Sequence, residues 1–73
     1  MSPFRILVAD DHELTRKAVR ALLEAEANQQ VIGEAATGLE AIGQVASLDP
    51  DLVILDLAMP ELDGLEVAAR LRQ

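Results

Sequence analysis

Three aspartates carry the chemistry that this sequence can be read for. Asp10 and Asp11 close the apolar run Phe4–Ala9, and Asp56 closes the apolar run Leu52-Val53-Ile54-Leu55. Carboxylates brought together repel one another unless a cation joins them or a proton neutralises one. A donor set of oxygens selects hard ions: Mg2+, Mn2+ or Ca2+. Mg2+ takes one or two carboxylates and keeps several waters, which leaves room for a phosphoryl oxygen. The chain has no cysteine and one histidine, His12. That excludes a disulfide scaffold, a thiolate site and a multi-histidine zinc site within one chain. Taken singly, each aspartate can equally cap a helix or stay solvated at a strand end.

Whether the three meet depends on the elements that carry them. Phe4–Ala9 reads as a strand. Residues 12–26 read as a helix, with Leu14, Ala18, Leu22 and Ala25 recurring on one face. Glu13 and Lys17 sit four apart in the favourable order. Residues 31–36 read as a second strand, weakened by Gly33 and Glu34. Residues 37–48 read as a second helix, opened by the capping-box spacing of Thr37 and Glu40 and weakened at Gly43 by about 1 kcal/mol relative to alanine. Leu52–Leu55, after the breaker Asp49-Pro50-Asp51, reads as a third strand covered on both faces. Residues 57–62 form a loop, and Asp63-Gly64-Leu65-Glu66 starts a third helix ending near Arg72, with Glu66 and Arg70 as a spacing-of-four pair.

Strands separated by helices pair in parallel through right-handed crossovers, which gives an open α/β sheet. All carboxyl ends of a parallel sheet lie on one side. With the first strand central, its two neighbouring helices go to opposite faces and leave a crevice at the reversal point, where such sheets bind ligands. Asp10, Asp11 and Asp56 all fall there.

The rest of the composition narrows the function. The 73 residues make one domain, and a chain of this size buries only about 60% of its unfolded surface. Six basic against thirteen acidic residues leave a net charge of −7, a poor match to a phosphate backbone, so direct nucleic-acid binding by this segment is not expected. Phe4 is the sole aromatic residue, which argues against a base-stacking platform. No apolar run approaches 18 residues and the N-terminal run is too short for a signal peptide, so no membrane association and a cytoplasmic setting are expected. The aspartates have no separate general acid or base beside them, which argues against an enzyme. His12 reads as a helix-start residue rather than a relay histidine. Arg16, Lys17 and Arg20 read as a solvated stripe carrying ion pairs rather than a kinase contact.

The residues then meet a known family. Ile6-Leu7-Val8-Ala9-Asp10-Asp11-His12, Val31-Ile32-Gly33-Glu34-Ala35, Thr37-Gly38-Leu39-Glu40-Ala41 and Pro50-Asp51-Leu52-Val53-Ile54-Leu55-Asp56-Leu57-Ala58-Met59-Pro60-Glu61-Leu62-Asp63-Gly64 together resemble a response-regulator receiver domain. The Asp-Asp-His start and the Val-Ile-Gly-Glu-Ala strand resemble the LuxR/FixJ-type subgroup, whose output domain is a DNA-binding helix-turn-helix. The resemblance implies a flavodoxin-like (CheY-like) α/β fold, here a (βα)3 portion with parallel strand order 2-1-3. It implies that Asp56 accepts a phosphoryl group from a histidine kinase. It also implies that Asp11 ligates Mg2+ (or Mn2+) directly, Asp10 directly or through water, and Ala58 through its backbone carbonyl. Met59-Pro60 would shape the loop, and Gly64 matches the glycine that starts the following helix.

The family pattern runs to five strand-helix units in the order 2-1-3-4-5, and this sequence matches three. The fourth-strand Ser or Thr and the fifth-strand lysine have no counterpart here. Lys17, the one lysine, lies six residues past Asp11, about 9 Å up a helix. Residues 1–73 are therefore expected to be the N-terminal part of a receiver domain, with the output domain absent. Two functions follow. One is a phosphoacceptor controlling transcription through an output domain. The other is a phosphorylation-independent interaction or dimerisation module with a vestigial acidic pocket. In the order 2-1-3 the third strand is an edge with no Lys, Pro or bulge inside Leu52–Leu55, a template for pairing with another chain. A twofold homo-oligomer through that edge, with exchange of the third helix as the second route, is the expected assembly.

Overall fold

The computed structural model describes residues 3–56. The expected loop at 57–62, the third helix at 63–72, Ala58, Met59-Pro60 and Gly64 lie outside the described residues.

Ile6, Leu7, Val8 and Ala9 are the most buried run among the described residues, each at most 1% exposed. Aliphatic side chains on successive positions point to alternate faces of a strand. A run buried throughout must therefore be covered on both sides. The run lies in β1 (Phe4–Ala9), which is followed by α1 (Glu13–Glu24), β2 (Gln29–Ala35), α2 (Gly38–Leu48) and β3 (Leu52–Leu55). The sheet order is β2-β1-β3, and both pairings are parallel. Ile6 and Val8 pack with Val31, Val19, Leu23 and Ile54 on the α1 side, while Ala9 packs with Ala35, Ala41, Ile42 and Leu55 on the α2 side. The helices thus cover opposite faces, as the open α/β reading requires.

Two expectations need correction. The face of α1 built from Leu14, Ala18 and Leu22 is turned outward, with Leu14 86% and Leu22 75% exposed, and Ala25 beyond the helix is exposed too. The helix rests on Val19 and Leu23 instead. Leu22 and Leu23 are only about 100° apart around a helix, so the sequence holds two adjacent apolar stripes. The polar anchors of Arg16, described below, select between them. Second, β3 is covered less deeply than expected: Ile54 packs on the α1 side and Leu55 on the α2 side, but Leu52 is 43% exposed. Among the described residues β3 has a neighbouring strand on one side only.

β2 is an unbroken strand rather than an interrupted one. Its register against β1 shifts between Ile6 and Leu7, where Ile32 bulges out. Gly33 follows the bulge at a close approach of α2. A Cβ there would lie 2.5 Å from Gln44 Oε1, 3.0 Å from Leu48 Cδ1 and 3.2 Å from Leu7 Cδ1. The same Gln44 side chain donates from Nε2 to the Glu34 carbonyl at 2.6 Å, fastening α2 to β2. Gly43 has no such constraint, since a Cβ there meets nothing within 4 Å among the described residues.

The helix ends explain the strand spacing. Thr37 caps α2 by accepting the Glu40 N–H at 3.1 Å, and Glu40 accepts the Ala36 N–H at 2.7 Å, one residue before the usual capping-box donor. Asp49 ends α2 in the left-handed region at φ 49°, and the Arg5 guanidinium donates to the Leu48 and Asp49 carbonyls at 2.6 and 2.8 Å. A cation on the last carbonyls of a helix satisfies orphan acceptors and opposes the helix dipole. Asp51 accepts the Arg5 N–H and donates its own N–H to the Arg5 carbonyl. Together these bonds set β3 beside β1. No helix among the described residues is long and apolar enough to cross a membrane.

Candidate functional site

The carboxyl ends of β1 and β3 are tied in register by backbone bonds. Asp10 donates its N–H to the Ala35 carbonyl at 2.9 Å, and Asp56 donates its N–H to the Ala9 carbonyl at 2.9 Å. The chain turns into α1 directly afterwards. Asp10 Oδ1 accepts the His12 N–H at 2.8 Å, and His12 is the N-cap residue of α1. An aspartate that accepts the N–H two residues on is the usual way such a side chain fixes a turn.

This geometry brings one donor atom from each of Asp10, Asp11, His12 and Asp56 within 4.8 Å of the others. The three carboxylates are half-buried. His12 Nδ1 lies 3.1 Å from Asp11 Oδ1, 3.4 Å from Asp10 Oδ1 and 4.0 Å from Asp56 Oδ2. Asp11 Oδ1 is buried and accepts no hydrogen bond among the described residues. A buried oxygen without a partner is a costly arrangement, and an ion is one of the few things that resolves it. Ligands on opposite sides of one Mg2+ sit about 4.2 Å apart, and on one Ca2+ about 5 Å. The cluster therefore has the donor chemistry and the size of a single coordination sphere. Asp11 offers the unused oxygen, while one oxygen of Asp10 is already held by the turn.

Beside the cluster stands a second group of charges that sequence reading did not assemble. Glu34 on β2 accepts from Arg16 Nε at 2.9 Å, from Arg20 Nη1 at 2.7 Å and from Lys17 Nζ at 3.2 and 3.3 Å. Its side chain is only 13% exposed. The hydrogen bonds from Arg20 and then Arg16 hold the Glu34 carboxyl down at about 2, against an ordinary 4.5. Glu34 and Glu24 in turn raise the Arg20 guanidinium above its ordinary value. Arg16 also donates from Nη1 to the Asp10 carbonyl at 2.9 Å, so one guanidinium links this clamp to the acidic turn. Lys17 reaches across to β2 rather than along the helix to Glu13. The available signal was one carboxylate inside an apolar strand and Arg, Lys, Arg on one helix side.

Residues 6–73 match the response regulator receiver domain, and the chain belongs to that family. It is 44% identical over 71 residues to the nitrate/nitrite response regulator protein NarL of Escherichia coli, covering 97% of this chain and 33% of that one. It is 48% identical over 67 residues to a protein-glutamate methylesterase/protein-glutamine glutaminase of Myxococcus xanthus, covering 92% of this chain and 19% of that one. The structure of a LuxR-family two-component response regulator from Aurantimonas superposes with a TM-score of 0.94 at 36% identity, over 99% of this chain and 51% of that one. The sequence is thus that of a two-component receiver with NarL- and LuxR-type relatives, and the sheet order 2-1-3 is the CheY-like arrangement. The chain spans a third or less of the length of these two curated relatives. With the methylesterase it shares the receiver portion alone. Receiver domains bind Mg2+ in an acidic pocket, and the Asp10–Asp11–Asp56 cluster has that composition.

Proposed function

We propose that residues 1–73 are the N-terminal part of a receiver that takes a phosphoryl group on Asp56 from a histidine kinase. The observation that supports this best is the placement of Asp56 with Asp10 and Asp11 inside one coordination sphere at the strand ends. An Asp56 carboxylate oxygen attacks the phosphorus of the phosphohistidine in line. The phosphorus–nitrogen bond breaks, its electron pair returns to the imidazole, and an acyl phosphate forms. Asp11 and Asp10 would hold Mg2+, and the resemblance to receivers gives the Ala58 carbonyl as a further ligand. Bound there, the ion would offset the charge that builds on the phosphoryl oxygens. The acyl phosphate then controls an output domain, of the DNA-binding LuxR type, in a cytoplasmic protein that is not itself an enzyme.

Labelling by radioactive acetyl phosphate with Mg2+ tests this. A full-length receiver carrying these residues incorporates label, residues 1–73 alone incorporate it about 10²- to 10³-fold more slowly for want of the lysine and hydroxyl contacts, and both Asp56→Asn and removal of the metal by a chelator abolish it. Label retained in Asp56→Asn overturns the reading. A second reading, self-association through β3, is favoured by the outer position of that strand among the described residues and the exposure of Leu52. Sedimentation decides it: the chain is a dimer at micromolar concentration, Leu52→Lys is a monomer, and a monomeric wild type removes the idea.

A further inference from the structure

We propose that His12 is itself a ligand of the acidic centre, through Nδ1, and that it turns the site's preference from Mg2+ toward a borderline divalent ion such as Mn2+. This rests on the reading of Asp10, Asp11 and Asp56 as a metal site and adds a nitrogen donor that an all-oxygen site lacks.

The main chain of His12 is anchored on both sides. Its N–H is held by Asp10 Oδ1, and its C=O accepts the Arg16 N–H as the first bond of α1. From that anchor the ring brings Nδ1 to 3.1, 3.4 and 4.0 Å from one oxygen of Asp11, Asp10 and Asp56 respectively. Adjacent ligands on an octahedral ion with bonds of about 2.1 Å are about 3.0 Å apart, and opposite ones about 4.2 Å. The three separations fall between those two values.

The contact with Asp11 is informative for a second reason. Nδ1 is 3.1 Å from Asp11 Oδ1, yet that buried oxygen accepts no hydrogen bond among the described residues. The ring nitrogen is near the carboxylate, but not aligned as a hydrogen-bond donor to it. A cation shared between the two atoms is compatible with this separation. The rest of the ring is in water, with the side chain 72% exposed. A histidine that ligates a metal does so through one ring nitrogen and leaves the other to the solvent.

A nitrogen in the donor set changes which ion is favoured. Imidazole suits first-row transition ions, whereas carboxylate and water suit Mg2+ and Ca2+, and Mg2+ sheds water reluctantly. Mn2+ accepts both donor types and gives a magnetic readout, so Mn2+ and Mg2+ are the probes.

His12 is the only histidine in the chain, so nitrogen coupling is assignable without ambiguity. The full chain is labelled with 15N-histidine, loaded with Mn2+ and read by pulsed electron paramagnetic resonance. Titration calorimetry with MnCl2 and MgCl2 follows on wild type, His12→Ala and His12→Gln at one pH. The expected results are a 15N coupling to Mn2+ in wild type and a loss of about tenfold in Mn2+ affinity in both variants. Mg2+ affinity changes by less than about threefold, since that ion needs no nitrogen. Exposure of the ring keeps both variants folded. Saturating Mn2+ without nitrogen coupling, or equal losses for the two ions, overturns the role of His12 and leaves the metal site standing. A wild type that binds neither ion overturns both.

Discussion

At Glu34, three cationic side chains close on one carboxylate; at the ends of β1 and β3, three carboxylates share the neighbourhood of one imidazole. The two arrangements lie on either side of Arg16, which donates to Glu34 with Nε and to the Asp10 carbonyl with Nη1. The clamp at Glu34 is complete within the chain. Its charge is met by fixed donors in forked geometry, and nothing further is needed to make it stable. The acidic centre is the reverse. Asp11 keeps a buried oxygen that accepts no hydrogen bond among the described residues, which is what a site for an exchangeable cation would require. A site that must bind an exchangeable ion has to leave charge unmet by its own residues, whereas a structural pair must not. The same residue type, a half-buried carboxylate, serves both ends according to what faces it.

The largest expected effect lies at the acidic centre. Asp11→Ala removes the unsatisfied oxygen, and Mg2+ affinity falls by about a hundredfold, read by calorimetry. Unchanged binding would break the contrast at its stronger end. Glu34→Gln tests the other end. Removing the charge that three donors surround lowers stability by about 2 kcal/mol at pH 7, read from urea unfolding. Because the Glu34 carboxyl is held at about 2 against an ordinary 4.5, its contribution is complete above pH 4.5 and lost as pH falls toward 2. The wild type should therefore lose its advantage over Glu34→Gln across that window. An advantage that persists at pH 2 would show that the loss is packing and not charge.

Smaller effects follow at the two helix residues. Arg16→Met removes one of the donors to Glu34 together with the bond to the Asp10 carbonyl. Stability falls by about 1 kcal/mol, and Mg2+ affinity falls with it if the bridge holds the acidic turn in place. A Mg2+ affinity equal to that of wild type would separate the two regions altogether. Lys17→Ala changes stability by less than about 0.5 kcal/mol, because Lys17 is 54% exposed and its pair with Glu34 is screened by water.

Much of this arrangement was legible beforehand, and the reasons are local. The apolar run Ile6-Leu7-Val8-Ala9 was legible as a strand, and the order β2-β1-β3 followed from the resemblance to receiver domains. Thr37 and Glu40 carry their helix start in their spacing, and the structure differs only in sending the Glu40 carboxylate to the Ala36 N–H. Asp10, Asp11 and Asp56 were placed together by topology alone, since every strand of a parallel sheet ends on the same side. The outward turn of Leu14 and Leu22, the clamp on Glu34 and the seating of Arg5 on the end of α2 were not legible.

What the sequence determined by itself is whatever follows from periodicity along one segment: three strands, two helices, and carboxylates at the strand ends. Tertiary structure alone decided the angle of each helix about its own axis and the partner of each charge. Apolar stripes one residue apart differ little in transferable area, so burial cannot choose between them along an isolated helix. The choice falls to directional bonds between segments distant in sequence, such as Arg16 to Glu34 and to the Asp10 carbonyl. Those bonds exist only once the sheet has brought their donors and acceptors within about 3 Å of each other.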